Sequence, residues 1–396
     1  MRVTVIGLDG GPLDPEARRH LEKATLVVGG ARNIAAAPGV PPEVPTYELG
    51  PLEPALDALG AHEGSPVVLA SGDPGFFGIV RALRERGHTL AVFPARSSVA
   101  LAFARAGMSW DDALVVSAHG RDLRRAVNAC RAHPKVAVLT APGAGPAELG
   151  RELHPQTPRA FVVCENLGSP EERVVRVRPA EATTRPWNDP NVVIVYDPRK
   201  PVGPSGWIAG ARPGPDGWAL PETEFEHRNG QITKAEARAH ILARLGPRVG
   251  DLVWDIGAGS GSVGIECARL GAAVIAVERD EESCARIRRN VQRHHVKVAV
   301  SRGEAPAVLD HLPVPDAIFV GGGGLRTIEA CAPLALRAMV VSLAAVERVA
   351  PTLALLKAEG YSAEAVQLSA ARFAPLPDGT HRLQPTNPVF VVSGAR

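Results

Sequence analysis

The sequence has few of the residues that usually signal metal sites, disulfide frameworks or nucleic-acid surfaces. Its five cysteines are scattered without a C-x-x-C pair, so neither a zinc site nor a disulfide framework is indicated. Aromatic residues make up 4% of the chain and the formal net charge is only +2. This balance gives no electrostatic argument for a nucleic-acid partner. We expect no metal and no nucleic acid.

Long hydrophobic runs are missing as well. No apolar run reaches the roughly 18 residues that a membrane-spanning helix needs. Residues 1–7 are typical of a first β-strand and not of a signal peptide. We therefore expect a cytoplasmic protein without membrane contact, whose cysteines are reduced and mostly buried. A length of 396 residues predicts two or three domains, each large enough for its own core.

Proline and glycine, by contrast, are plentiful and divide the chain. Between residues 197 and 222 they are too dense for regular secondary structure. We predict a Pro/Gly-rich linker over residues 200–225, between domains at 1–199 and 226–396. Trp207 and Trp218 within the linker indicate that it packs against another part of the protein.

The first half alternates short β-like runs with helical runs, which predicts parallel α/β layers. We expect two lobes that divide near residues 110–120, the second ending in antiparallel strands. The predicted strands are Val3–Gly7, Leu26–Gly29, Val67–Ser71, Leu90–Phe93, Leu114–Ser117, Val136–Leu139, Phe161–Cys164, Arg173–Val177 and Val192–Tyr196. The predicted helices are Asp14–Ala24, Phe77–Arg86, Val99–Ala106, Leu123–Arg131 and Pro146–Leu153.

The second half predicts a seven-stranded sheet. Thr233 and Glu236 fit a capping box that begins a helix running to about Leu245. Five strands alternate with helices, and two last strands, joined by a turn-rich loop, form an antiparallel pair. These strands are Leu252–Asp255, Ala273–Val277, Val296–Ser301, Asp316–Val320, Met339–Leu343, Glu364–Leu368 and Pro388–Val392.

The most informative segment is the glycine-rich turn after the first of these strands. Asp255 ends the strand, and Gly257, Gly259 and Gly261 follow at alternate positions. Glycines at this spacing let the backbone approach a ligand where a Cβ atom would collide. Glu278 ends the next strand, where an acidic side chain would meet the hydroxyl pair of a ribose. The pattern predicts a site for an adenosine-containing cofactor.

Two cofactors fit this spacing. Residues 259–264 also match the G-x-G-x-x-G turn of nicotinamide-binding domains. Asp255 and the final antiparallel pair favour S-adenosylmethionine (SAM), whose ammonium group an acidic residue near this turn can bind. A pyrophosphate would instead favour positive charge and hydrogen-bond donors. A tight turn that binds no ligand is the third interpretation.

Two further segments lie at strand ends in the second half. Glu304 and Ala305 follow the third strand, where SAM enzymes often place an acidic side chain and a backbone amide against adenine. Alternatively, Glu304 occupies the first turn of a helix and complements its dipole. Residues 321–324 are four glycines. They are either kept open for a flat, bulky substrate or form a flexible turn.

The first half repeats the arrangement at three strand ends, residues 5–11, 70–78 and 95–100. Each segment alone is an ordinary turn or helix cap. Together they resemble the tetrapyrrole methylases, which bind SAM between two α/β lobes. The resemblance rests on Val27–Gly30, Ser71–Pro74, Ser97–Ser98, Trp110–Asp112 and Ser117–Arg121, and it is greatest to the methylases that modify carbon 5 of a precorrin.

The second half resembles the precorrin methyltransferases that act at carbon 15 and also decarboxylate. The matching pieces are Gln231–Lys234, Trp254–Val263, Gly303–Pro306 and Pro315–Gly322. The order of the two halves is that of the fused precorrin-6Y C-methyltransferases of cobalamin synthesis. The resemblance implies a two-lobed tetrapyrrole-methylase fold followed by a seven-stranded, Rossmann-like class I methyltransferase fold, and an anionic precorrin as substrate.

The resemblance also implies two SAM sites in each chain and, by analogy, a homo-oligomer. The cofactor-binding residues that it indicates in the first half are Gly10, Gly72, Asp73, Phe76, Ser97 and Ser98. Those in the second half are Thr233, Asp255, Gly257, Ala258, Gly259, Ser260, Gly261, Glu278, Glu304 and Ala305. The first loop departs from the usual Gly-x-Gly-Pro-Gly of the family, because Asp9 adds a carboxylate and the proline is displaced to Pro12.

Methyl transfer to a tetrapyrrole carbon requires alignment and exclusion of water more than a protein nucleophile. His119 and Arg121 are candidates for a proton donor. Arginines near the strand ends are candidates for holding the substrate carboxylates: Arg121, Arg124, Arg326 and Arg382. Two other functions stay open, namely an RNA methyltransferase and a non-catalytic regulator that binds SAM or NAD.

Overall fold

The computed structural model describes residues 2–154, 157–199, 209–210 and 214–396. By their contacts the residues separate into two compact units, Met1–Arg121 with Lys135–His154 and Arg159–Gly210, and Asp122–Pro134 with Pro155–Pro158 and Ala211–Arg396. Much of the predicted linker, including Trp207, lies outside the described residues. Trp218 is described and is 52% exposed. The predicted domain boundaries stay predictions.

The first unit begins with a five-stranded sheet of parallel strands in the order β3-β2-β4-β1-β5. Its elements are β1 (Arg2–Leu8), α1 (Pro15–Glu22), β2 (Leu26–Gly29), α2 (Ala31–Ala36), β3 (Thr46–Glu48), α3 (Leu52–Ala61), β4 (Pro66–Ser71), α4 (Val80–Glu85) and β5 (Thr89–Phe93). Most apolar residues of β1, β2 and β4 are buried, as expected for a parallel sheet covered by helices.

A second five-stranded sheet follows, in the order β6-β7-β10-β8-β9. The elements are α5 (Ser98–Ala106), β6 (Leu114–Ser117), α6 (Leu123–Ala132), β7 (Lys135–Leu139), α7 (Pro146–Leu153), β8 (Ala160–Glu165), β9 (Arg173–Val177), α8 (Pro179–Ala182) and β10 (Asn191–Tyr196). Strand β10 runs antiparallel to β7 and β8, and β9 runs antiparallel to β8. The predicted antiparallel finish is confirmed. Helix α6 falls in the second unit.

The second unit contains the predicted seven-stranded sheet, in the order β13-β12-β11-β14-β15-β19-β16. Its elements are α9 (Ala235–Leu245), β11 (Leu252–Ile256), α10 (Ser262–Arg269), β12 (Ala273–Glu278), α11 (Glu281–Arg293), β13 (Ala299–Arg302), β14 (Ala317–Val320), α12 (Gly324–Cys331), β15 (Ala338–Leu343), α13 (Val349–Ala358), β16 (Ser362–Leu368), β17 (Ala371–Pro375), β18 (His381–Pro385) and β19 (Val389–Ala395). Strand β19 is antiparallel to both β15 and β16, so the predicted final pair is confirmed.

Three local predictions were wrong. Helix α4 begins at Val80 and not at Phe77, because Phe77 has a positive φ of 54° that no right-handed helix accommodates. Strand β13 begins at Ala299, three residues after the predicted start. The segment predicted as a turn-rich loop contains a two-stranded hairpin, β17 and β18, in which Phe373 lies opposite Leu383.

The predicted capping box at the start of α9 was also wrong. The N-cap residue is Lys234, which makes no side-chain cap hydrogen bond. The N–H of Ala235 donates instead to Oε1 of Glu222 at 2.8 Å. The carboxylate of Glu236 binds Arg372, so it does not return to the backbone of Thr233. A helix does begin at this place, but the hydrogen bonds expected of a capping box are replaced by bonds to residues distant in sequence.

A buried ion pair fixes the segment that leads into α9. Arg238 and Glu266 have fully buried side chains, and Nε of Arg238 lies 3.2 Å from Oε1 of Glu266. Glu266 also accepts hydrogen bonds from the N–H groups of Ala219 and Leu220, at 3.0 and 2.7 Å. Arg238 donates to the carbonyl of Thr233 at 2.6 Å. Buried charges need such complete pairing, and here the pairing holds Thr233 in place.

The thiols of all five cysteines are buried, as expected from the sequence. Among the described residues, the helices are too short or too polar to cross a bilayer.

Candidate functional site

A cavity of about 620 Å³ opens at the carboxyl ends of the parallel strands in the second unit. Parallel sheets leave a crevice at this edge because the crossover helices lead away from it. Five of the ten cofactor-binding residues predicted for this half line the cavity: Thr233, Gly257, Ala258, Gly259 and Ser260. The rest of the lining comes mainly from residues 230–237, 319–321, 342–344, 368–370 and 386–389.

Asp255 lies behind the glycine turn and does not line the cavity. Its Oδ2 accepts the N–H of Gly264 in the first turn of α10 at 2.8 Å. A Cβ atom at residue 264 would stand 2.8 Å from the same oxygen, so only glycine allows this approach. Oδ1 is buried and has no hydrogen-bond partner among the described residues. Burial raises the pKa of Asp255 to about 7, against the lowering effect of the Gly264 hydrogen bond.

Glu278, at the end of β12, holds the middle of the glycine turn. Its Oε2 accepts the N–H of Gly259 at 2.9 Å, and its Oε1 accepts the N–H of Asp280 at 3.0 Å. The turn is therefore fixed from two neighbouring strands. Gly261 lies at the inner side of the turn, where a Cβ atom would meet Ile287 at 3.0 Å. The structure brings Glu278 to the turn and gives Gly261 a packing role beside α11, while contact of Glu278 with a ribose stays a prediction.

Glu304 and Ala305 lie next to the predicted adenine position without lining the cavity. Oε1 of Glu304 pairs with Arg279 at 3.0 Å, and both side chains are mostly exposed. The carbonyl of Ala305 accepts the hydroxyl of Thr327 at 3.3 Å. Residue 304 begins no helix, so the alternative interpretation as a helix first turn was wrong. Contact of this pair with adenine stays a prediction.

The four glycines at 321–324 serve close backbone packing. A Cβ atom on Gly257 would lie 2.9 Å from the backbone nitrogen of Gly322, so the ends of β11 and β14 touch without side chains between them. Gly321 lines the cavity. Gly323 and Gly324 begin helix α12 with positive φ angles of 96° and 75°. The flexible-turn interpretation does not describe a segment that packs this tightly.

Sequence reasoning missed two parts of the cavity wall. Ser342 near the end of β15 and Ala344 just after it lie at the same sheet edge, so the strand order could have indicated them. Leu368–Ala370 and Thr386–Val389 flank the hairpin of β17 and β18. That hairpin was not predicted, and no local signal pointed to its two flanks.

In the first unit the predicted residues meet where β1, β4 and β5 end. The N–H of Gly72 donates to the carbonyl of Leu8 at 2.6 Å. A Cβ atom at residue 72 would lie 3.2 Å from the Cα of Ser97 and 3.3 Å from the nitrogen of Ser98. Oγ of Ser97 accepts the N–H of Ala100 at 3.1 Å and caps α5. The structure therefore brings together Gly72, Ser97 and Ser98.

The unusual carboxylate of Asp9 is paired within this cluster of loops. Its Oδ2 accepts Nε of Arg96 at 2.6 Å and the backbone N–H of Arg96 at 3.1 Å, while Oδ1 accepts the N–H of Gly11 at 2.9 Å. Burial alone would raise the pKa of Asp9, but these hydrogen bonds outweigh it and hold the pKa below its usual value. Asp9 thus ties the first loop to the loop after β5.

Gly10 joins the first loop to the second lobe of this unit. A Cβ atom at residue 10 would lie 1.7 Å from the carbonyl oxygen of Gly168, which no side chain could tolerate. Beside this contact is an open cavity of about 370 Å³, whose lining includes Asp9, Gly10 and Arg96. Of the six residues predicted for this half, Gly10 is the one that lines it.

The remaining candidates of the first unit surround the turn after β4. Oδ1 of Asp73 accepts the N–H of Gly75 at 2.8 Å. Phe76 is partly exposed and packs edge-to-face against Phe77, with ring centroids 5.0 Å apart. The guanidinium of Arg121 stands 5.4 Å from the centre of the Phe77 ring, within cation–π range. The structure thus brings Arg121 to this turn. His119 is exposed.

Among the other candidate arginines, Arg124 is already paired. Its Nη1 lies 2.7 Å from Oδ1 of Asp316, and its side chain is partly buried. This ion pair occupies Nη1 of Arg124, and contact of Arg124 with a substrate carboxylate stays a prediction. Arg326 and Arg382 are exposed. No cluster of three or more potential metal ligands occurs in the described ranges.

The residues present fit SAM as a ligand of the second-unit cavity. Space is open beside Gly259, where a Cβ atom would meet nothing within 4 Å. Glu278 uses two of its acceptor positions for backbone N–H groups, and a carboxylate has about four, so ribose hydroxyls would still find acceptors. The buried, unpartnered oxygen of Asp255 suits a positively charged ligand nearby.

Two families match this chain. Residues 223–395 match the family described as the precorrin methyltransferase domain. Residues 5–183 match the tetrapyrrole (corrin/porphyrin) methylases. The first match covers the seven-stranded sheet of the second unit, and the second match covers the two sheets of the first unit except β10 and the first residues of β1.

Similar proteins span either most of the chain or about one half of it. A precorrin-6Y C(5,15)-methyltransferase (decarboxylating) from Sinorhizobium sp is 40% identical over 336 residues, which is 81% of this chain and 78% of that protein. A cobalt-precorrin-7 C(5)-methyltransferase from Salmonella typhimurium is 32% identical over 50% of this chain and 100% of its own length. A probable cobalt-precorrin-6B C(15)-methyltransferase (decarboxylating) from Methanosarcina acetivorans is 32% identical over 44% of this chain and 98% of its own.

The buried carboxyl of Asp255 predicts a pH dependence of stability in the protein without ligand. Its pKa is raised from 3.8 to about 7 by folding, so between these values the unfolded chain is ionised while the folded protein retains the proton. The free energy of unfolding therefore falls as pH rises from about 4 to about 7. Asp255→Asn removes this loss. The free energy of unfolding of the variant, relative to that of the wild type, should therefore rise by at least about 1.4 kcal/mol over that pH range.

Differential scanning calorimetry of both proteins from pH 5 to 8 measures this difference. Asp310→Asn, which changes an exposed carboxyl of the same unit, is the matched control. Its Tm should change with pH in the same way as that of the wild type. A constant difference in Tm between Asp255→Asn and the wild type at all pH values would contradict the assignment.

Proposed function

Because the chain belongs to the family of precorrin-6Y C(5,15)-methyltransferases (decarboxylating), we propose that it methylates a precorrin at carbons 5 and 15 and decarboxylates the acetate side chain of ring C in cobalamin biosynthesis. SAM supplies an electrophilic methyl group at each site. The observation that carries the proposal is the 620 Å³ cavity, bounded by the turn at Gly257–Ser260 and backed by Asp255 and Glu278.

In this proposal each unit catalyses one of the two methylations. The relative matching the first half is a C(5)-methyltransferase and the relative matching the second half is a C(15)-methyltransferase (decarboxylating). We assign carbon 5 to the first unit, with a donor site that includes Gly10, Gly72, Asp73, Phe76, Ser97 and Ser98. We assign carbon 15 and the decarboxylation to the second unit, with a donor site that includes the predicted residues from Thr233 to Ala305.

Within the second unit each side chain has a separate task. Thr233 offers a hydroxyl from one wall of the cavity, and Glu278 offers carboxylate oxygens toward the ribose. Asp255 holds the turn through Gly264 and contributes negative charge behind the cationic end of the donor. Once Asp255 is ionised, a cation close to its unpartnered oxygen relieves the cost of the buried charge.

The chain itself need not provide a nucleophile. The attacking atom is an electron-rich meso carbon of the substrate, so the protein contributes alignment and exclusion of water. Loss of carbon dioxide leaves an electron pair that the conjugated macrocycle accepts, and a proton donor assists. His119 and Arg121, which lies over Phe77 beside the turn after β4, belong to the first unit. They are therefore candidates for donating a proton or clamping a substrate carboxylate there, and not for the decarboxylation assigned to the second unit.

The remaining assignments concern partners and location. We propose that exposed Arg326 and Arg382 contribute to holding the carboxylates of the anionic substrate. Nucleic acid is not a partner in this proposal, since the net charge of +2 provides no basic surface. A homo-oligomer and a cytoplasmic location complete the proposal, the first by analogy with the relatives and the second from the sequence.

Binding stoichiometry tests the two donor sites. Calorimetric titration of the intact chain with S-adenosylhomocysteine should saturate at two equivalents. Gly259→Arg and Gly72→Arg should each reduce this to one, because each places a large side chain at a turn with a positive φ beside a donor site. Gly360→Arg and Gly87→Arg are the matched controls, since both positions also have positive φ and open surroundings but line neither cavity. Saturation of the wild type at one equivalent would overturn the two-site assignment.

Turnover tests the reaction itself. Incubation of the protein with SAM and a precorrin, followed by mass spectrometry, should show a product with two added methyl groups and one lost carbon dioxide. Gly259→Arg should yield a product with one methyl group and an intact acetate. Labelled RNA in place of the precorrin is the negative control, and incorporation of methyl groups into RNA would favour the alternative function.

A further inference from the structure

The cavity of the second unit lies between two walls that come from distant parts of the chain. One wall is the segment from Gly230 to Ala237, at the start of α9, and the other is formed by Leu368–Ala370 beside the hairpin. Arg372, the second residue of β17, crosses from the hairpin to the first wall. Its guanidinium pairs with Glu236 of the first wall and so links the two walls by an ion pair.

Arg372 engages two carboxylates at once. Its Nε and Nη2 bind Glu236 at 2.8 and 2.7 Å, and its Nη1 and Nη2 bind Glu222 at 2.8 and 3.0 Å. Planar guanidinium groups are suited to such bidentate pairing, which fixes geometry as well as charge. Glu236 itself lines the cavity, so the pairing reaches the cavity wall directly.

The same cluster replaces the expected helix cap. Glu222 accepts the N–H of Ala235 at 2.8 Å, and Lys234 at the N-cap makes no side-chain cap bond. Thr233 is therefore not used as a capping residue and lines the cavity instead. The Arg372 guanidinium lowers the pKa of Glu222 to about 2 and lowers that of Glu236, so both carboxylates stay ionised at neutral pH.

We infer that Arg372 is a positioning residue for the donor site of the second unit: by fastening Glu222 and Glu236 to the hairpin, it orders the Thr233 wall against the Leu368–Ala370 wall and so sets the affinity for SAM. The inference rests on the proposed function, because it assumes that SAM binds this cavity. A site ordered in advance binds more tightly, since less ordering remains to be done on binding.

The salt dependence of affinity follows from the exposure of the cluster. The side chains of Arg372 and Glu236 are 42% and 45% exposed, while that of Glu222 is 13% exposed. Pairs this exposed are weakened by dissolved ions. The affinity of the wild type for S-adenosylhomocysteine should therefore fall with added NaCl more steeply than the affinity of an Arg372 variant.

The test is calorimetric titration of the full chain with S-adenosylhomocysteine in a Gly72→Arg background, so that only the second-unit cavity is titrated. Arg372→Gln should raise Kd about tenfold, and Arg372→Lys should fall between it and the parent, because a lysine cannot bridge both carboxylates bidentately. Arg244→Gln is the matched control. It removes an exposed ion pair with Glu364 at 2.7 Å from the other end of α9 and should leave Kd unchanged.

Kinetics separate positioning from a structural role. In the same background, Arg372→Gln should raise the KM for SAM about tenfold while kcat at saturating SAM stays within about twofold. Circular dichroism and Tm confirm that each variant is folded at the assay temperature. A lowered Tm with an unchanged Kd would mean that Arg372 serves stability alone and would overturn the inference.

The outcomes also distinguish this inference from the proposed function. If the parent, with Arg372 intact, is folded and binds no S-adenosylhomocysteine, the proposed function fails and the inference fails with it. If the parent binds and Arg372→Gln has the same Kd as the parent at both low and high NaCl, the inference alone fails.

Discussion

The site of the second unit depends on one hydrogen bond, from the N–H of Gly264 to the buried carboxylate of Asp255 at 2.8 Å. This bond ties the end of β11 to the first turn of α10, and Glu278 ties the middle of the intervening turn to the end of β12. A turn fixed at both places cannot collapse into the cavity that it borders. The cost is a carboxyl buried without a cation, which raises its pKa to about 7. This arrangement requires glycine at position 264, because the Cβ atom of any other residue would lie only 2.8 Å from the carboxylate oxygen.

The features that could be predicted from the sequence are those with local causes. Alternating apolar runs indicated the strands of the three large sheets except the short β3, and the glycine spacing indicated the turn at Gly257–Gly261. The capping box predicted at Thr233 and Glu236 does not form, although a helix does begin there. The N–H of Ala235 binds Glu222, 13 residues away, and the carboxylate of Glu236 binds Arg372, 136 residues away. Single-sequence reasoning has no access to such pairings. The hairpin that carries Arg372 was missed for a related reason, since its strands are exposed and contain prolines, and such runs are typical of loops.

The first unit shows how a departure from a family pattern is accommodated. Asp9 adds a carboxylate to a loop that must approach Gly168 within backbone contact. Arg96, 87 residues later, neutralises it and donates a second hydrogen bond through its backbone N–H. The sequence shows the extra charge, while its partner becomes evident only when β1 and β5 lie side by side. The loop therefore keeps its position, and its neighbours Ser97 and Ser98 remain beside Gly72.

The two predicted donor sites share a topological origin and differ in their charge. Both lie where parallel strands end and helices begin, which is where α/β sheets leave room for a ligand. In the first unit Asp9 is paired with Arg96, and Asp73 accepts the N–H of Gly75. In the second, Asp255 and Glu278 are bound by backbone N–H groups and form no ion pair within the part of the chain that the structure describes. Backbone dipoles neutralise a carboxylate only in part, so the second site remains electronegative toward a cationic donor. We therefore expect electrostatic attraction to contribute more to donor binding in the second unit, and shape and backbone contacts to contribute more in the first.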